Sequence, residues 1–229
     1  MKNYNASIPL LCIHIPKCGG TSLKTIFEKW YGNKLFEHYF DERNAIMPKK
    51  HKLKKRFSKK FLENICVYGH FNRNREFGVD DYYPEIKQAV TFLRDPLEIA
   101  LSVFYYNKRL KKEGVNYRNG KIREITSDID EFLENSNSYI RYFLPKEMTA
   151  ENVDNFFEQY FVHVGVMEHF QKSVDILSQK LDKAKIIVPH QNISERLQTP
   201  SKTSIAKFKS RCSFEYLLYK KALEANNVI

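Results

Sequence analysis

Little in the sequence would staple the chain covalently or hold it in a membrane. The four cysteines, Cys12, Cys18, Cys66 and Cys212, are scattered and form no C-x-x-C pair, and two of them fall in expected buried strands. That pattern argues for reduced thiols and against a disulfide framework or a zinc site, as suits a reducing compartment. The longest apolar run near the N-terminus, Ile8 to Ile15, is too short to span a bilayer, and no basic region, apolar core and small-residue cleavage site precede it. A soluble protein without a signal peptide is expected. Internal repeats and Gly/Ser linkers are also missing, so a single domain over residues 1–229 is the expectation. A 42% hydrophobic and 14% aromatic content is enough for a real core and excludes a disordered or fibrous chain.

Charge is strongly one-sided. A net +11 points to acidic partners: nucleotides, anionic glycans, nucleic acid or a membrane surface. Between residues 49 and 60, eight of twelve positions are Lys or Arg, and self-repulsion keeps such a run solvated unless an anion is present.

Strand-length apolar runs at Pro9–Ile15, Ile65–Tyr68, Ala89–Leu93, Phe161–Val166 and Lys185–Val188 alternate with stretches of helical period. The helical stretches are Ser22–Tyr31, Pro96–Lys112, Ile129–Glu134, Ala150–Gln159, Phe170–Leu181, Thr203–Ser210 and Phe214–Asn226. Such alternation predicts an α/β fold with a central, mostly parallel sheet flanked by helices, because parallel strands need crossovers. Asp95 as N-cap and Pro96 at the first helical position mark the start of the second helix.

Two segments carry chemistry. In the first, LLCIHIPKCGGTSL (Leu10–Leu23), a strand breaks at Pro16-Lys17 and passes through Gly19-Gly20 into a helix. Paired glycines let the backbone approach a ligand, and the first helical turn presents unpaired N–H groups with partial positive charge. Lys17 adds a charge, and Thr21 and Ser22 add hydroxyls, so the expected guest is a phosphate or sulfate group. In the second, TFLRDPLEIALSVF, Arg94 ends a strand and Ser102 lies about two turns into the following helix. A guanidinium and a hydroxyl together suit a dianionic monoester. An ATP-type loop would read G-x-x-x-x-G-K-[ST]. Here Lys17 precedes the glycines and no acidic residue is placed to hold a metal, so neither a magnesium requirement nor ATP hydrolysis is expected.

The pair of motifs, Pro16-Lys17-Cys18-Gly19-Gly20-Thr21-Ser22 and Arg94-Asp95-Pro96…Ser102, resembles the sulfotransferases that use 3′-phosphoadenosine 5′-phosphosulfate (PAPS), in particular their carbohydrate branch. Phe161–Leu177 is similar to that family's late strand and following helix, and His190–Ser194 (HQNIS) to its C-terminal nucleotide-contacting loop; residues 32–62 and 110–150 match in placement alone. The resemblance implies a P-loop-like three-layer fold and sulfuryl transfer from PAPS to an acceptor hydroxyl, with adenosine 3′,5′-bisphosphate (PAP) as product and no metal. It assigns the loop Lys17, Cys18, Gly19, Gly20, Thr21 and Ser22 to the 5′-phosphosulfate, with Lys17 stabilising the departing phosphate. Arg94 and Ser102 fall to the 3′-phosphate, and Asn192 and Ser194 to the nucleotide. His70, after the second expected strand in VYGHF, becomes the general base, at the sheet edge where open α/β folds place ligands.

Arg141 is expected to line the acceptor or 3′-phosphate side. The basic run with Lys54 and Lys55 is read either as a hold for an anionic glycan, or as a solvated loop or nonspecific nucleic-acid patch. His14 is read as a satisfied buried residue inside the first strand, His163 and His169 as structural, and the Cys18 thiol as passive. The expected partner is an acceptor glycan or other hydroxyl compound, anionic ones included, with no specific nucleic acid and no membrane span. The expected setting is a microbial cytoplasm, the alternative being the catalytic domain of a Golgi-type enzyme. Two rival readings stay open at this point: a kinase-like nucleotide phosphotransferase, and a noncatalytic basic module that binds nucleotides or polyanions.

Overall fold

A computed structural model describes residues 1–51, 53, 63–114, 126, 128–188 and 196–228. In chain order its regular elements are β1 (Leu10–Ile13), α1 (Gly20–Tyr31), β2 (Leu35–His38), β3 (Cys66–Gly69), α2 (Val79–Tyr82), β4 (Ala89–Leu93), α3 (Pro96–Lys112), α4 (Ile129–Asn135), α5 (Val153–Gln159), β5 (Phe161–Val166), α6 (Phe170–Lys180), α7 (Lys202–Arg211) and α8 (Ser213–Ala225).

The five strands form one sheet in the order β2-β3-β1-β4-β5, every pairing parallel. Every residue of β1, β3, β4 and β5 is buried. A sheet whose strands are buried at successive residues has both faces covered, and the helices supply that cover, giving the expected three layers. From β1 the chain moves outward to β2 and returns through β3; from β4 it moves the other way, to β5. Neighbouring strands whose connections diverge open a crevice beyond their carboxyl ends. Here that crevice lies past Ile13 and Leu93, where the two sequence motifs begin.

The second motif starts as its sequence predicts. Asp95 Oδ1 accepts from Leu97 N at 2.7 Å and Glu98 N at 3.3 Å, with Pro96 in the first turn. Ala100, Leu101 and Phe104 of α3 pack on Ile129 and Leu133 of α4, Phe208 of α7 and Cys212 just after it in a satellite core. That packing fixes one face of α3 and leaves Glu98, Ser102 and Tyr106, spaced four residues apart on another stripe, to face the crevice.

Two expectations about strands change. Lys185–Val188 is no strand: the Gln171 side chain donates to Ile186 O at 3.1 Å and accepts from Val188 N at 2.9 Å, holding by an amide what a ladder would hold, while Ile187 stays exposed. The edge strand β2 was not expected; it is four residues long and only His38 is buried. Among the described residues no helix is long and apolar enough to cross a membrane.

Candidate active site

The loop after β1 is built around a buried plug. The Cys18 side chain is fully buried in the main core and its N–H donates to Ile15 O at 3.2 Å. Pinned this way, the chain turns through left-handed conformations on both sides, at Lys17 (φ 68°) and Gly19 (φ 70°). For a lysine this costs on the order of 1–2 kcal/mol, held in place by the surrounding packing. Burial pushes the Cys18 thiol far up, so the residue shapes the loop and offers no nucleophile. α1 then opens at Gly20 with no side-chain cap on its N-terminus and no acidic residue in its first turn. The first N–H groups of a helix have no intrahelical partner. With Thr21 exposed and Ser22 half-buried beside them, the arrangement suits an anion.

Three side chains fix this loop from other elements. Tyr68 OH, from β3, donates to Gly20 O at 2.8 Å; Tyr139 OH donates to Pro16 O at 3.4 Å; and Arg94, at the end of β4, donates from Nη1 to Lys17 O at 3.4 Å. The Lys17 ammonium lies 4.1 Å from the centroid of the Tyr106 ring on α3. Desolvation, then Arg109 and Arg94, lowers its pKa, which marks a cation set among cations. Arg94 and Lys17 thus converge across the crevice, with half-buried Ser102 on the α3 stripe between Glu98 and Tyr106.

A histidine pair closes the other side. β1 ends at Ile13, so His14 is a loop residue, contrary to its expected place inside the strand. Its Nδ1 lies 3.0 Å from Tyr39 OH and its ring centroid 4.5 Å from that of His70. A Cβ on Gly20 would sit 1.8 Å from the His14 ring, so the second glycine of the pair is required by this imidazole. His70 follows Gly69, where a Cβ would meet His38 O of the neighbouring β2 at 2.0 Å; His70 N–H donates to that same carbonyl at 2.9 Å. The glycine therefore brings two backbones close and aims the next side chain inward. His70 Nε2 is buried and has no partner. Desolvation lowers the His70 pKa to about 4, against a partial opposing pull from Glu42, so the ring is neutral near pH 7 and able to accept a proton.

Lys17, Gly19, Gly20, Thr21, Ser22, Arg94, Ser102 and His70 are thus gathered at the carboxyl ends of β1, β3 and β4. Arg141 sits in an exposed turn, its guanidinium 5.9 Å from the Tyr142 ring centroid, two residues beyond Tyr139. Lys54, Lys55, His190, Asn192 and Ser194 lie outside the described residues. Sequence reading missed His14, Tyr106, Tyr139 and the carboxylate of Glu98, which pairs with Arg94 Nη2 at 3.1 Å and with Arg196. Of these only Glu98 left a trace, as the residue one helical turn after Arg94 and one before Ser102.

No protein-family model and no curated protein matches the chain. Among solved structures the chain is similar to the mouse sulfotransferase SULT7A1 complexed with PAP, at 14% identity and a TM-score of 0.45; the match covers 90% of this chain, which spans 64% of that one.

Proposed function

We propose that the chain is a PAPS-dependent O-sulfotransferase that moves a sulfuryl group to a hydroxyl of a carbohydrate acceptor by direct in-line displacement. The observation that carries this reading is the convergence of Lys17 and the uncapped α1 N-terminus with Arg94 across one switch-point crevice, Ser102 lying on the facing stripe of α3. One anion site at a helix start suits many nucleotides. A guanidinium beside it, with a hydroxyl on the helix opposite, suits one with a second phosphate on its ribose.

In this reading the acceptor oxygen attacks sulfur while the bond from sulfur to the bridging oxygen breaks. The electron pair goes to the 5′-phosphate of the departing PAP, where the Lys17 ammonium and the N–H groups at the start of α1 stabilise it. The acceptor proton goes to His70, whose buried, unpartnered Nε2 provides the vacancy. The α1 N-terminus fits the group chemically because it has no side-chain cap and no acidic residue in its first turn. A carbohydrate acceptor rests on the resemblance of the two motifs to the carbohydrate branch, and the basic run around Lys54 and Lys55 suits an anionic one.

PAP is expected to stabilise the protein thermally without Mg²⁺, and 5′-AMP or ATP to do so much less; equal shifts for all three would overturn the roles of Arg94 and Ser102. Transfer of radiolabelled sulfate from PAPS, screened over glycan, lipid and phenol acceptors, then identifies the acceptor. For the base, His70→Ala is expected to lower kcat by about 10²–10⁴-fold, the usual scale of general-base catalysis, with PAP affinity unchanged. Retained turnover in that variant would move the base elsewhere.

A further inference from the structure

The cation assigned to the ribose phosphate, Arg94, already holds an anion. Glu98 Oε1 accepts from Arg196 Nη1 at 2.8 Å, its Oε2 is shared by Arg196 Nη2 and Arg94, the latter at 3.1 Å, and all three side chains are about a third exposed. Arg196 forks onto the carboxylate from the stretch that leads into α7, while Arg94 reaches the same oxygen from the end of β4. Two guanidiniums from distant parts of the chain therefore meet on one carboxylate, one helical turn before Ser102.

We propose that Glu98 is the resident anion of this subsite: it holds Arg94 and Arg196 until a phosphate monoester displaces it, so that nucleotide binding is an exchange of one anion for another. The inference rests on the reading of Arg94 and Ser102 as the ribose-phosphate subsite. A planar guanidinium pairs with a carboxylate or a phosphate through the same fork of N–H donors. The carboxylate carries one negative charge, whereas a phosphate monoester carries about 1.5–2 at pH 7 and three acceptor oxygens. The monoester is thus the stronger partner for two cations, and Glu98 sets the threshold it must exceed. Without Glu98, or some other anion, the two guanidiniums would repel each other across the crevice. Both consequences can be measured.

Removing the charge separates the exchange from a merely structural pairing. In low salt, calorimetric titration of Glu98→Gln is expected to show PAP binding about tenfold tighter than wild type, equivalent to ~1.4 kcal/mol, and 5′-AMP binding unchanged. The free variant is expected to melt below wild type, with PAP restoring most of the difference, because the phosphate then pairs the arginines. Glu98→Asp, which keeps the charge on a shorter arm, is expected to shift PAP binding the same way by less and guards against a fold-level effect of the glutamine. Weaker PAP binding in Glu98→Gln would overturn the proposal, since Glu98 would then be orienting the arginines for phosphate. Equal changes for PAP and 5′-AMP would overturn it by placing the effect outside this subsite. A wild-type protein that does not prefer PAP to 5′-AMP would instead overturn the subsite reading beneath it.

Discussion

Lys17→Ala is expected to cut sulfuryl transfer by about 10³-fold or more, the scale on which removing one preorganised charge-stabilising donor acts, while PAP affinity changes only a few-fold. Negative charge builds on the bridging oxygen only as the sulfur–oxygen bond breaks, so an ammonium placed there acts mainly on the transition state. Binding of the product is shared with the α1 N-terminus and Arg94, which the substitution leaves in place. The fold should tolerate the change. Position 17 is left-handed (φ 68°) with a lysine, and an alanine there carries a similar strain. Cys18, the plug that turns the loop, is untouched. Lys17→Gly serves as the control: glycine relieves the strain and should raise the melting temperature slightly, with the same loss of turnover. Single-turnover kinetics alongside PAP titration separates the two effects. An unchanged chemical step in either variant would remove Lys17 from the reaction.

Acid is expected to unfold the protein well above the usual carboxylate range. Desolvation is the leading cause at four histidines, lowering His14 to about 3, His38 to about 4, His70 to about 4 and His163 to about 3. His163 is the extreme case, fully buried in β5 with neither ring nitrogen partnered. A group whose folded pKa is depressed binds its proton first in the unfolded chain. Its stabilisation is therefore complete above the unfolded pKa near 6.5 and is lost as pH falls toward the folded value. Each such histidine removes about 1.4 kcal/mol per pH unit in that window. By pH 5 the four together remove about 8 kcal/mol, comparable with the whole stability of an ordinary domain, roughly 5–15 kcal/mol. Denaturant unfolding followed between pH 7.5 and 4.5 is expected to show the loss beginning near pH 6.5 and spontaneous unfolding near pH 5. A flat profile over that range would mean that these rings are solvated or partnered in solution. The proposed base does not set this limit, because in the folded protein His70 stays neutral down to about pH 4, so activity is expected to end where the fold does.

How much of this could be read from the residues depends on how local each signal is. β1, β3, β4 and β5 announce themselves as apolar runs because both sheet faces are covered. Asp95-Pro96 fixes the start of α3 by local capping chemistry, and the glycine loop carries its own backbone signature. What depends on distant partners was not legible. β2 exists because β3 offers a parallel neighbour, not because LFEH is a strong strand, and Lys185–Val188 fails as a strand because Gln171 occupies its hydrogen bonds. His14 looked like strand interior because it directly follows Ile13, the last residue of β1. Its neighbours, Tyr39, Gly20 and His70, come from three other parts of the chain. The meeting of Glu98 with Arg196 spans 98 positions and has no sequence pattern at all.

The contact between His14 and Gly20 also constrains how such a chain can change over generations. A methyl group at position 20 and an imidazole at position 14 cannot share the space, since the added carbon would fall within 1.8 Å of the ring. Either residue can drift only after the other has moved, with a smaller side chain at 14 coming before any side chain at 20. Because the same imidazole rests against His70 at 4.5 Å between ring centroids, the history of the glycine loop and that of the proposed base are tied through one ring. Divergent members of such a lineage should carry substitutions at 14 and 20 as a matched set.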